Sequence, residues 1–390
     1  MEKLELDKVQ RYFDEATGEP LRLCFDDHTL EIDGVEIVLE GVPSLKSDQT
    51  GELHYPSRTK RMIAYYLEKA KKKGGSTIRI HRRRDHEGRY SYAERFSFIY
   101  CDVDYEYIPG LARPWEQGYL TPVFFKISVL NKYSQDPEYR VDLFSNTYGT
   151  IWFGDKWRIN FGINRNKRVI MWLGDIARLP EPEIYYLRSE NIESDHDIHS
   201  EFYDAQIEVQ PAELAPQQKV IRERRRLNEA VIQKLGWALF HLEGEVSKII
   251  ENLERPVFWE DKHVGPAVES LNRIFVESVN IEALKRELKE GNEQVAMKSL
   301  GSLKILQYWL AERLQLGNCS DVMCPFFVLY DYRILTCHLI PDGKRQQTLL
   351  AINTRLGLAQ DNTNNEAIYD ALISRLLQSV ETILSTVQGQ

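Results

Sequence analysis

The apolar residues of this chain change their period once, near a proline-flanked break, and that switch limits the fold more than any other feature. Before the break, apolar and polar residues alternate in short runs, as they do along half-buried strands. After it, apolar residues recur every three or four positions, as they do along one face of a helix. The break is the segment QPAELAPQQK, with Pro211 and Pro216 and no large aromatic residue. It divides the 390 residues into a β-rich region, 1–211, and a helical region, 212–390. The expected fold class is therefore α+β in two parts, a sandwich-like or barrel-like half followed by an all-α bundle. Each part is long enough to bury a core without disulfide staples.

In the first part, Leu21, Leu23 and Phe25 alternate with polar residues. Asp33-Gly34 lies between LEI and VEIVL and predicts a tight hairpin. STIRIHRRR–DHEG–RYSYAERFSFIYC predicts a second hairpin and TIWF–GD–KWRINFGI a third. Further strands are expected at Pro122–Leu130, Arg168–Leu173, Glu183–Arg188 and Phe202–Val209. One helix is expected from Ser57 to Lys73, with Met62, Ile63, Tyr66, Leu67 and Ala70 on its apolar stripe and Gly74-Gly75 at its end. The set is open to division into two small β modules.

In the second part, apolar positions from Val220 to Leu253 trace one long helix ended by Pro256. A second runs from Val268 through Val279 to Leu288, a third from Val295 to Leu314, and a last from Asn364 to Val387. Four or five such helices make a bundle.

Composition narrows the function classes. A chain 43% hydrophobic and 28% charged is ordinary globular material and not a disordered one. A net charge of −9 argues against a wholly basic nucleic-acid coat and leaves room for a local basic patch. No apolar stretch is long enough for a membrane span, and MEKLELDKVQ is no secretory leader. Five cysteines without a CxxC pair fit reduced thiols, and a cytoplasmic location is expected. Cys319 and Cys324 read as buried thiols and not as metal ligands. GxxxxGK[ST], GxGxxG after a strand, GxSxG and HExxH are all absent, so no cofactor is expected.

The segment CPFFVLYDYRILTCHLIPDGKRQQ carries the most chemistry. Val328, Tyr332, Leu335 and Leu339 form a helical stripe stopped by Pro341 and Gly343, although a buried strand also fits so short a run. Within it stand three ionisable residues, Asp331, Arg333 and His338, and burying charge is costly without partners. Asp331 and His338 fall on one helix face. Arg333 and His338 are about 140° apart at 100° per residue, so they do not share a face, though they could flank a groove where another helix packs.

The spacing Arg333-x4-His338, on a late helix of a bundle, resembles the R-x4–6-H signature of the HEPN superfamily. The resemblance spans Gln218–Val387. The sequence departs from the family in having Ile334 where a polar residue, often Asn, follows the Arg. The resemblance implies a bundle that dimerises and an Arg–His pair lining a cleft between protomers. It also implies metal-independent RNA cleavage of the kind found in toxin and antiviral systems. His338 would be the acid or base, since histidine titrates near neutrality. Arg333 would oppose the charge that develops on the phosphate oxygens. Asp331, on the His338 face, completes the candidate catalytic set. The bland alternative pairs Arg333 with Asp331 or another carboxylate and ties His338 to a backbone carbonyl.

Two clusters of the β-rich part are secondary candidates. In LRSENIESDHDIHSEFYDAQ, residues Asp195, His196, Asp197, His199 and Glu201 offer donors for a divalent metal, with Asp204 nearby. An extended loop would put Asp195, Asp197 and His199 on one side and His196 on the other. A solvated loop of Asx turns is the plainer reading. In HRRRDHEGR, Arg82, Arg83, Arg84 and Arg89 surround a hairpin tip, with Tyr90 and Tyr92 beside them. Such a tip can clamp phosphates and stack bases, or simply be a solvated hairpin. RERRR, Arg222–Arg226, lies at the start of a helix, where positive charge opposes the dipole and hints at a carboxylate or phosphate partner, a solvated helix surface being the plainer reading.

The favoured expectation is a metal-independent endoribonuclease of a defence or stress system, with RNA and a second copy of the chain as partners. A protein trigger acting through the β-rich part, and no membrane, complete that expectation. A non-catalytic recognition protein with an oligomerising bundle is the alternative from another class. A metal-dependent nuclease built on Asp195–Glu201 is the third.

Overall fold

Gly34, Gly74 and Gly154 punctuate the β-rich half where the sequence places its turns, and all three have positive φ. The computed structural model describes residues 13, 14, 16–81, 97–106, 108, 118–207, 209, 214–290 and 300–389. The chain divides into two units, Met1–Glu213 and Leu214–Gln390. The first holds three sheets and the second is helical, an α+β arrangement in two parts.

The first unit opens with β1 (Arg22–Cys24), β2 (His28–Ile32), β3 (Val35–Glu40), β4 (Ser44–Lys46) and β5 (Leu53–His54). β2 and β3 form the Asp33-Gly34 hairpin, with φ of 52° and 74° at the two turn residues. Both central residues are left-handed, which matches the twist of the flanking strands. The helix α1 (Ser57–Lys73) has the bounds that the sequence predicts and ends on left-handed Gly74. Its Met62, Ile63, Tyr66, Leu67 and Ala70 pack on Ile37, Leu39 and Ile80. β6 (Thr77–His81) then pairs parallel to β3. α1 supplies the crossover that a parallel pair requires; β6 is the first strand of the expected second hairpin, and residues 97–101, the end of its expected second strand, are not in a strand. The rest of that hairpin lies outside the described residues.

After α2 (Asp102–Glu106) come β7 (Pro122–Lys126), α3 (Leu130–Gln135), β8 (Tyr139–Leu143), β9 (Tyr148–Phe153), β10 (Trp157–Ile163), β11 (Arg168–Trp172), α4 (Leu173–Ile176), α5 (Glu181–Glu190), β12 (Asn191–Ile192) and α6 (Glu201–Gln206). The six strands form an antiparallel sheet in the order β12-β7-β11-β10-β9-β8. The sheet is open, so no barrel closes among the described residues. β9 and β10 form the Gly154-Asp155 hairpin, with Phe153 opposite Trp157.

Two expected strands are helices. At Glu183–Arg188, Pro182 stands in the first turn beside Glu181 and Glu183, and Ile184 and Leu187 are buried one turn apart. Proline and acids at a helix start outweigh a short β-like pattern. At Phe202–Val209, Ser200 caps α6 by accepting from the Tyr203 N–H at 3.3 Å, and Phe202 and Tyr203 turn into the core.

In the second unit, α7 (Pro216–Leu235) ends at left-handed Gly236. The single helix expected from Val220 to Leu253 is therefore two, with α8 (Glu243–Glu251) following a turned segment. The break is held from inside. The Asn228 amide donates to the Phe240 carbonyl at 3.1 Å and its oxygen accepts the Phe240 N–H at 2.9 Å. That pair carries Leu239 and Phe240 into the core.

α9 (Asp261–Asn272) continues through a wide turn, Arg273–Glu277, to α10 (Ile281–Glu290). α11 (Ser302–Glu312), α12 (Cys319–Cys337), α13 (Asp342–Leu356) and α14 (Asn365–Gly389) complete the unit. Eight helices stand among the described residues where four or five were expected. α13 escapes sequence reading because Ile352, Asn353 and Leu356 alone are buried in it. α12 lies against α9, α13 and α14, and α14 lies against α7. Among the described residues no helix is long and apolar enough to cross a membrane.

Candidate functional site

The end of α12 carries the three residues that the sequence singles out. Val328, Leu329, Tyr332 and Leu335 anchor the helix in the core. The expected fourth stripe residue, Leu339, is not in the helix and is 105% exposed. The last helical bond runs from the His338 N–H to the Ile334 carbonyl at 3.2 Å, and His338 itself is extended. The Arg345 guanidinium donates to the Leu335 carbonyl at 2.9 Å. A cation at a helix C-terminus meets the negative end of the dipole and stabilises this stop. His338 is thereby left exposed just past the final turn.

Arg333 faces α9. Its Nε donates to the Glu269 carboxylate, and its side chain is 24% exposed. Glu269 also accepts from Arg273 at 3.1 Å. The register of this pair comes from a close helix approach. A Cβ at Gly265 would lie 3.3 Å from the Thr336 carbonyl oxygen and 3.5 Å from the Cys337 sulfur. Only a residue without a side chain lets α9 come so near, and Glu269 is one turn further along. The Arg333 hydrogen bond holds the Glu269 carboxyl below its ordinary range. The same bond pushes the Arg333 guanidinium up.

Asp331 turns the other way. Its carboxylate accepts from Arg355 of α13 at 2.7 Å. Asp331 and Arg333 are thus divided between α13 and α9. Arg333 has the carboxylate partner that its plainer reading asks for, but that partner is Glu269 and not Asp331. Arg333 and His338 share the C-terminal end of α12, separated by about 7.5 Å of helix rise.

RERRR has carboxylate partners. Arg224 is buried, donating to the Ile274 carbonyl at 3.0 Å and to Glu243 at 3.0 Å, and burial pushes its guanidinium down. Arg222 and Arg226 pair with Glu223, and Arg225 pairs with Glu229. Arg82, Arg83, Arg84 and Arg89 lie outside the described residues.

The five polar residues that lead into α6, Glu201 being its first, take separate partners. Asp195 accepts from Asn164, Asn166 and Arg168. Asp197 accepts from Arg165 at 2.6 Å, and Arg165 also reaches Asp48 at 2.7 Å. Glu201 accepts from the Thr147 hydroxyl at 3.0 Å. His199 packs edge-on against Phe13 and lies 3.9 Å from Asp204. His196 has a left-handed backbone, φ 62°. Its Nδ1 lies 2.8 Å from Asp104 of α2.

Among the described residues, the metal-donor group that the structure assembles is Cys101, Asp104 and His196. It shares one residue with the set expected from sequence. Cys101 and Asp104 escaped notice because more than ninety positions separate them from His196, and neither stands in a recognisable spacing.

No protein-family model matches the chain, and no curated protein or solved structure does either.

Proposed function

We propose that the helical unit is a metal-independent endoribonuclease in which His338 moves the proton and Arg333 binds the phosphate. One observation carries this reading: the His338 imidazole is open to solvent at the end of the helix that also holds Arg333. An accessible imidazole can take the proton of a ribose 2′-hydroxyl as that oxygen attacks the adjacent phosphorus. The 5′-oxygen then leaves with a proton, giving a 2′,3′-cyclic phosphate and a free 5′-hydroxyl. Guanidinium charge opposes the negative charge that gathers on the phosphate oxygens during attack. In this reading RNA draws Arg333 off Glu269, phosphate replacing carboxylate in a like-for-like exchange. A second copy of the chain completes the cleft, and the β-rich unit answers to a protein trigger in a defence or stress system.

A second reading has its own support. The Arg333–Glu269 pair occupies the guanidinium, as in a bundle that recognises or oligomerises without cutting.

Cleavage of labelled RNA by the full-length protein, in buffer without divalent cations, separates the two. His338→Ala should lower the rate by about 10²–10⁴-fold, the usual worth of a general acid or base, and keep the helical circular dichroism. Equal rates for wild type and His338→Ala reject the site. RNA binding with no cleavage by wild type selects the second reading.

A further inference from the structure

We infer that Cys101, Asp104 and His196 form a zinc site in the β-rich unit, with solvent as the fourth ligand. The inference stands apart from the ribonuclease reading and uses none of its residues.

The three donors come from two distant segments. Cys101 immediately precedes α2 and Asp104 lies within it, while His196 sits on the loop between β12 and α6. Their candidate donor atoms all lie within 4.8 Å of one another. The closest pair, His196 Nδ1 and Asp104 Oδ1, is 2.8 Å apart. Two ligands on a tetrahedral zinc sit about 3.3–3.5 Å apart, given bonds of about 2.0–2.3 Å. The imidazole and carboxylate must therefore open by about half an ångström and the more distant donors draw in. Side-chain torsions supply movements of that size without moving the backbone.

The surroundings favour a cation. Asp104 is 1% exposed. Its partners among the described residues are the Ser194 hydroxyl and His196, with no lysine or arginine among them. A carboxylate so far from water requires compensating positive charge. Cys101 is also buried, in a hydrocarbon cluster with Leu21, Leu23, Leu45 and Val103. Phe25, packed on that cluster, sets its ring edge-on to His196 with centroids 4.4 Å apart. One thiolate, one carboxylate and a neutral imidazole sum to two negative charges, so a divalent ion makes the buried site neutral. Thiolate and imidazole together disfavour magnesium and calcium, and a monovalent copper would leave a net charge.

The left-handed backbone at His196 fits this assignment. A φ of 62° costs energy in a residue with a side chain. Here it lets adjacent residues serve opposite sides, with Asp195 and Asp197 holding Asn164 and Arg165 while His196 reaches Asp104. The Ser194 hydroxyl donates to the Asp104 carboxylate and accepts the His196 backbone N–H at 2.9 Å, fixing the carboxylate and the loop residue that carries the imidazole. Such outer contacts characterise metal ligands. The competing account is a plain imidazolium–carboxylate pair beside a buried thiol.

Zinc content of the purified full-length protein, reconstituted with zinc and freed of excess, decides between them. About one zinc per chain is expected in wild type. Cys101→Ser and His196→Asn should each lose at least about nine-tenths of it, asparagine being chosen because it tolerates the left-handed backbone. Asp197→Asn and His199→Gln, which alter the neighbouring residues, should keep it. Wild type loaded with cobalt(II) should show a thiolate-to-cobalt charge-transfer band, a readout that needs no variant to fold. Absence of zinc from wild type, a cobalt spectrum without that band, or full zinc in folded Cys101→Ser and His196→Asn would overturn the assignment.

Discussion

His338 and His196 stand in opposite surroundings, and the contrast shows what each kind of site asks of a fold. His338 lies at an exposed helix end, one residue past the last turn of α12. His196 is held on a left-handed loop residue against a carboxylate that solvent barely touches. A proton shuttle must meet its substrate and exchange with water. A metal ligand must be oriented. The first histidine has the access and little fixation, and the second has the fixation, with its side chain 25% exposed.

The largest expected effect breaks this comparison if it goes astray. His338→Ala should abolish nearly all RNA cleavage yet leave the zinc content and the melting temperature of the protein close to wild type, because an exposed residue is worth within about 0.5 kcal/mol. His196→Asn should do the reverse to zinc. If His338→Ala lost zinc, or melted many degrees lower, the two sites would not be the separate devices described above.

What the sequence disclosed follows from how far each feature reaches along the chain. The period switch, the Asp33-Gly34 turn, α1 with its Gly74 stop and the β9–β10 hairpin rest on neighbours within a dozen residues, and each was legible. β6 pairs in parallel with β3, across α1, and local pattern does not disclose a pairing over that distance. The α7–α8 break was hidden because Gly236 sits among apolar residues whose helical period continues, while the hydrogen bonds that enforce the break join Asn228 to Phe240. The same distinction holds at the sites. Arg333 and His338 are five residues apart and were read directly. Glu269, which decides what Arg333 faces, is 64 positions from it, and Asp104, which decides what His196 faces, is 92 positions from that histidine.

A smaller effect tests the fixation of His196. Asp104→Asn removes the buried charge but keeps the shape, so the metal-free protein loses charge-assisted hydrogen bonds worth about 1–3 kcal/mol. Chemical denaturation followed by a probe in the β-rich unit should report a lowered midpoint with an unchanged slope. Zinc added to wild type should raise that midpoint in proportion to the logarithm of its free concentration, and should not raise it for Asp104→Asn. A midpoint that ignores zinc in wild type leaves Asp104 as a simple ion-pair partner.

The smallest effect concerns the restraint on Arg333. The Arg333 hydrogen bond holds the folded Glu269 carboxyl below its reference value of 4.5. Below that reference value the unfolded chain takes up the proton that folded Glu269 still refuses. Stability from this pair is therefore complete above about pH 5, where both states are ionised, and drains away as pH falls through the lowered folded value. Arg333, pushed up by the same bond, titrates far above this window and adds nothing there. Glu269→Gln should consequently flatten the acid limb of the stability profile, measured as denaturation midpoint from pH 6 down to pH 3. The same substitution releases the guanidinium, so RNA cleavage at neutral pH should rise. An unchanged acid limb would mean that Glu269 gains little from the pair. A fall in cleavage to the Arg333→Ala level would make Glu269 a positioning residue that aims Arg333 and not a competitor that holds it back.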